Sequence, residues 1–297
     1  MKPERYDHQI LLARSRAFHF SAPPPLDIRG DRYLWSSRSE DVTHAVLANA
    51  MEGDFRHFSR LIDLMKSSDD GVLWQECSLL LSHAAPYSSL HDLLDAFSGE
   101  LHGDDVVTQQ WISEILCRSG ALWSVPEVLR LWRLNQERET YFAIPTLLSL
   151  MLEDQRAEIA KGPPVLPRTD GMPEWLGLPV TYDDDRFAEI VLSRHATLWN
   201  AVADPAQLAV WEGAPLSLPR VAERALALIE QGEDVEEIAI ARTQLEAATG
   251  EDLSDCYSEG LLRNLTAAAH IETLVESGVL QRFVDGRRYF FGRAIPV

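Results

Sequence analysis

The sequence predicts an all-α fold: an α-α superhelix of stacked helical hairpins, then a helical C-terminal domain that ends in a small β-hairpin. Three observations predict it. Apolar residues recur at an offset of 35 positions between Asp54 and Leu152, a Pro-rich stretch interrupts the chain at 160–180, and Asp285-Gly286 lies between alternating apolar residues. A fixed period of this length is the mark of a solenoid.

The repeat is read from eight apolar phases. Four belong to the first half of each unit: Phe55, Leu90 and Val125; Phe58, Leu93 and Val128; Leu61, Ala96 and Leu131; Ile62, Phe97 and Trp132. Four belong to the second half: Val72, Val107 and Phe142; Cys77, Ile112 and Leu147; Leu80, Ile115 and Leu150; Leu81, Leu116 and Met151. Within each half the spacings of three, four and seven put these residues on one face of a helix. Each unit is therefore expected to be a helical hairpin.

Residues 1–40 have no clear period, and Pro23, Pro24 and Pro25 exclude a helix there, so this segment reads as a cap on the stack. The solenoid is expected over 41–159, opening with a half unit at 41–51. Gly53 breaks the chain and Asp54 is placed to cap the next helix; the inner turns are SSDDG, GELHGDD and NQERET. Five prolines between Lys161 and Val180 mark a linker over 160–180. The domain 181–297 is expected to hold helices at 184–203, 217–231, 234–248 and 257–277, with Gly232 and Gly250 closing the middle two. Asp285-Gly286 predicts the turn of the final hairpin.

Charge narrows the function. The chain has 46 acidic and 27 basic residues, a formal charge of −19, and a pI near 4.8. Such a field repels phosphate backbones and favours basic partners. Three cysteines, Cys77, Cys117 and Cys256, without CxxC or nearby histidines at ligand spacing, argue for a reducing cytoplasm and against a zinc site. No run is apolar enough for a membrane span and MKPERYDHQI lacks a signal-peptide core, so a cytoplasmic location is expected.

No reaction is named by the sequence. HExxH, GxSxG, a phosphate-binding loop and a paired-glycine fingerprint are all missing, so no catalytic, cofactor or metal residue is assigned. Asp183, Asp184 and Asp185 with His195 are the nearest approach to a catalytic cluster, but an acidic run at a helix start is ordinary. The acidic turns carry more. Asp69-Asp70 and Asp104-Asp105 lie 35 residues apart, so stacking would bring them to one edge, either as helix caps or as a contact surface for a basic protein. The expected partner-binding residues are therefore Asp69, Asp70, Asp104, Asp105, Asp183, Asp184 and Asp185. Trp74 and Trp111 fall off the shared apolar stripe and join them as anchors if exposed.

Against this acidic field stand Arg282, Arg287, Arg288 and Arg293 around the final hairpin. A helix followed by a basic hairpin is the pattern of a winged-helix DNA-binding regulator, the alternative reading. The helix before it carries only Arg263 against Glu259, Glu272 and Glu276, so nucleic acid is disfavoured and the arginines are expected to pair with carboxylates.

The 35-residue hairpins resemble HEAT-like repeats. The acidic, Arg-rich helical chain, and above all DCYSEGLLRNLTAAAHIETLVESGVLQRFVDGRRYFFG, resembles the all-helical immunity proteins encoded beside bacterial polymorphic toxins. That resemblance implies a non-catalytic role: binding a cognate toxin domain and occluding it. The other alternative is a general helical-repeat scaffold.

Overall fold

The computed structural model describes residues 31–36, 38–134, 143–152, 184–232, 236–258 and 261–297, so the linker 160–180, the turn NQERET and Asp183 fall outside the described residues. What is described is mostly helical, with small antiparallel strand pairs in the second half.

Helices α1 (Asp31–Leu34) and α2 (Ser39–Met51) lead into α3 (Ser59–Ser67), which folds back on α4 (Gly71–Ala84). Then come α5 (Tyr87–Ala96), short α6 (Ser98–His102) and α7 (Val106–Ser119); α8 (Val125–Leu134) and α9 (Ala143–Leu152) follow. The second helices pack in succession, α4 on α2, α7 on α4 and α9 on α7, while α5 lies on α3. In α7 every residue from Thr108 to Cys117 is buried, which is what a helix covered on all sides requires. Gly120 ends α7 in the left-handed region (φ 68°), where a Cβ would stand 3.0 Å from the Val210 carbonyl oxygen.

Asp54 does not cap a helix. The residue before α3 is Phe58, which offers no side-chain acceptor, and the Asp54 carboxylate is held by the Arg56 guanidinium at 2.8 and 2.7 Å. The charged fork of Arg56, together with its own amide at 3.2 Å, satisfies the carboxylate before the helix begins.

Helix α10 (Asp184–Ala201) packs on α8 and α9, with Trp132 and Phe187 edge to face at 4.8 Å. Beyond it, α11 (Leu218–Glu230) packs on α12 (Glu236–Thr249) and on α13 (Asn264–Glu276) around Val221, Ala225, Leu245 and Ile271. Three ribbons punctuate them. β1 (Val210–Trp211) pairs with β2 (Ala214–Pro215), β3 (Tyr257–Ser258) with β4 (Leu261–Leu262), and β5 (Tyr289–Phe290) with β6 (Arg293–Ala294), all antiparallel. The expected helix at 257–277 thus loses its first turns to β3 and β4.

The final hairpin exists, but its register differs from expectation. Phe291 (φ 49°) and Gly292 (φ 74°) form its turn, whereas Asp285-Gly286 follows a 3-10 turn at Val279–Arg282. Two left-handed residues match the twist of a two-residue hairpin, and Glu212-Gly213 (φ 45° and 71°) repeats the solution between β1 and β2. The Phe291 and Gly292 amides donate to the Ala247 and Ala248 carbonyls at 2.8 and 2.7 Å, closing the end of α12.

The two halves share a core. Val210, Ile240, Ala247, Phe290 and Ile295 belong to the same buried cluster as α2–α9. Arg288 fixes the junction: its guanidinium donates to the Ala85 and Ser82 carbonyls at 2.7 and 2.6 Å, at the end of α4, with its charge over the Tyr87 ring. Burial lowers its pKa from the usual arginine range, with Tyr87 acting against the shift.

Candidate protein-binding surface

The two acidic turns are built alike. Asp70 accepts a hydrogen bond from the Val72 amide at 2.9 Å and caps α4; Asp105 accepts from the Thr108 amide at 3.1 Å and from its hydroxyl at 2.9 Å, capping α7. Each turn is also tied down from inside. The Trp74 indole donates to the Ser68 carbonyl at 2.6 Å, and Gln109, 35 residues on, donates to the Gly103 carbonyl at 2.8 Å.

Three contacts place these turns at the same end of the hairpins. Trp74 in the first turn of α4 meets Trp111 of α7 at 6.3 Å between ring centroids. Lys66 at the end of α3 donates to the Ala96 carbonyl, at the end of α5, at 2.6 Å. At the opposite end of the long helices, His83 of α4 lies within the field of Arg118 of α7. Helices α4 and α7 therefore run the same way, and Asp69-Asp70 and Asp104-Asp105 share an edge. Asp69 and Asp104 are exposed, and among the described residues no hydrogen bond or ion pair engages their carboxylates.

Trp74 and Trp111 are not anchors. They are 6% and 5% exposed, and Trp74 also packs edge to face on Phe97 at 5.6 Å. Off the stripe shared by the units, they fill the layer between α4 and α7. Asp185 is exposed on α10. His195 stands ten residues further along that helix, about 15 Å away at the helical rise, and its ring lies tilted against Trp199 at 5.3 Å, so the two form no common cluster. Burial lowers the His195 pKa, with a backbone hydrogen bond at Leu122 opposing.

The C-terminal arginines do not form one basic wing. Arg288 is buried on main-chain carbonyls and not on a carboxylate, as α4 ends there with acceptors to satisfy; Arg282, Arg287 and Arg293 remain exposed. Helix α13 turns Leu265 (89% exposed), Glu272 and Glu276 outward, a poor match to a phosphate backbone.

Two buried polar groups went unnoticed in the sequence. His83 is pushed down to about 3, chiefly by burial and then by Arg118 and Arg288, against a raising contact from Gln244. Glu246 accepts from the Leu253 amide at 2.9 Å, lies 3.8 Å from Arg242, and is pushed up to about 7 by burial despite that neighbour. Also missed was a groove lined by Glu52, Asp54, Ser89 and Asp92. The 35-residue offset that pairs Asp54 with Ser89 was the available signal.

Among the described residues no helix is long and apolar enough to cross a membrane, and no group of three or more His, Cys, Asp or Glu is placed to hold a metal ion. Compared with known protein families, curated proteins and solved structures, the chain matches none.

Proposed function

We propose that this chain is a non-catalytic protein-binding module whose acidic turn edge docks on a basic partner. Its hairpins 59–84, 87–119 and 125–152 are read as successive units of an α-α superhelix. The partner is a bacterial toxin domain, which this cytoplasmic immunity protein occludes. One observation carries the reading. Asp70 and Asp105 already cap α4 and α7, so capping does not account for Asp69 and Asp104, whose exposed carboxylates add like charge to an already acidic chain at a repulsive cost. A partner of opposite sign offsets that repulsion and is drawn in faster by it.

The test is co-expression with the variable C-terminal domain of a large secreted protein encoded in the neighbouring reading frame. Wild-type chain is expected to restore growth and to co-purify with the domain. Asp69→Asn with Asp104→Asn should weaken binding about fivefold to tenfold at low salt, the scale of two exposed charge contacts. No binding, or binding indifferent to salt and to both substitutions, overturns the reading.

A further inference from the structure

Positive charge gathers where the C-terminal ribbon meets the start of α5. Arg287 and Arg288, with Tyr87 and Gln207, line a notch of about 20 Å³ that Ile295 and Pro296 wall on its apolar side. No carboxylate side chain is among the described residues that line it, in a chain whose formal charge is −19. Arg288 is buried there without a counter-ion. Its fork donates to the Ser82 and Ala85 carbonyls, and no ion pair among the described residues reaches it. Arg287 and Gln207 are exposed at the rim, and their side chains have no hydrogen bond or ion pair among the described residues.

Two deficits meet in this notch. A buried cation held only by neutral carbonyls is costly until an anion compensates it. Tyr87 is only 6% exposed, and its buried hydroxyl has no hydrogen-bond partner among the described residues, which is a second cost. Burial pushes that phenol up to about 12 against the opposing effect of Arg288, so it is neutral and offers a donor, not a counter-charge. A water molecule would satisfy the hydroxyl and leave the charge; a cation would meet two guanidinium groups. A carboxylate answers both, accepting from the hydroxyl and from guanidinium N–H groups beyond those that the two carbonyls use. Room for about one water-sized group admits the flat end of such an ion and keeps the rest of its molecule outside.

From this geometry we infer that the notch binds the carboxylate of a small organic acid, with Arg287 and Arg288 as counter-charge and the Tyr87 hydroxyl and Gln207 carboxamide as donors. The inference does not rest on the turn edge, since Arg288 docks at the end of α4 and the acidic turn lies at its start.

The test titrates the full chain with acetate by NMR at constant ionic strength, with chloride and phosphate as comparisons. Acetate should shift the amides of Arg287, Arg288 and Ile295 to saturation. Arg287→Gln, at an exposed position, should weaken binding about fivefold, the scale of one exposed ion pair. Tyr87→Phe leaves the ring against Trp123 and beneath Arg288, and should weaken binding about tenfold, the scale of a hydrogen bond to a charged group. Without acetate, Tyr87→Phe should not lower the thermal midpoint, because the hydroxyl it removes has no partner to lose. A lower midpoint would show the hydroxyl already satisfied and overturn the inference. So would acetate acting no differently from chloride, which would leave the notch to water alone, phosphate binding more tightly than acetate, or indifference to Arg287→Gln.

Discussion

The two ends of α4 are finished by different means. At its start Asp70 caps the helix from the adjoining position, while at its finish Arg288 reaches the Ala85 and Ser82 carbonyls across 203 and 206 residues of chain. A local cap secures one turn. A buried arginine secures one turn and also the seam between the first helices and the C-terminal ribbon, so its removal is felt in both halves. The end built by local chemistry stays open to solvent, and the end built by long-range contact is covered.

The largest expected effect comes from breaking the covered end. Arg288→Met keeps the apolar stem but strips two buried carbonyls of their donor, and should destabilise the fold by about 3 kcal/mol in urea unfolding. Arg287→Met, next to it but exposed, should change stability by less than about 0.5 kcal/mol. Equal effects would mean that Arg288 is not the fastening.

A medium effect separates the two halves by pH. Glu246, near α11–α13, has its pKa raised from 4.5 to about 7, so the folded chain keeps a proton that the unfolded chain releases. Its contribution is complete below about pH 4.5 and is lost as pH rises through 7. His83, in α4, has its pKa lowered from 6.5 to about 3, so its contribution is complete above pH 6.5 and is lost as pH falls toward 3. Glu246→Gln should remove a decline on the order of 2 kcal/mol between pH 5 and 7.5 and expose the opposing rise from His83, read from urea midpoints across that range. A variant with the pH profile of the wild type would show that Glu246 does not titrate there.

The smallest effects sharpen the open end. Asp70→Ala and Asp105→Ala should each cost about 1 kcal/mol by loss of a cap. Asp69→Ala and Asp104→Ala should each stay within about 0.5 kcal/mol in thermal unfolding. If all four cost the same, the division between capping and contact aspartates fails.

Much of the helical half was legible. The apolar spacing located α3–α5 and α7, and SSDDG gave its turn because capping chemistry is local; of GELHGDD only 103–105 is turn, since 99–102 belongs to helix α6. Gly120, Gly232 and Gly250 stopped helices in the left-handed conformation that only glycine adopts without penalty. The hairpin register was not legible. Asp-Gly and Phe-Gly both allow a two-residue turn, and the choice fell to Phe291-Gly292 because its amides meet the open carbonyls of α12 while Phe290 is buried. Nor did an off-stripe position reveal that Trp74 and Trp111 face each other, since a stripe common to all units omits contacts peculiar to one pair.

Sequence alone determined the helical class, the alternation of helix and turn, and the excess of carboxylates, because periodicity, capping and charge are written residue by residue. Tertiary structure decided which aspartates stay exposed, where Arg288 goes, and which loops meet to form a groove. Those outcomes depend on acceptors and walls supplied by segments far away in the chain, and no local pattern encodes the partner that a distant segment will bring.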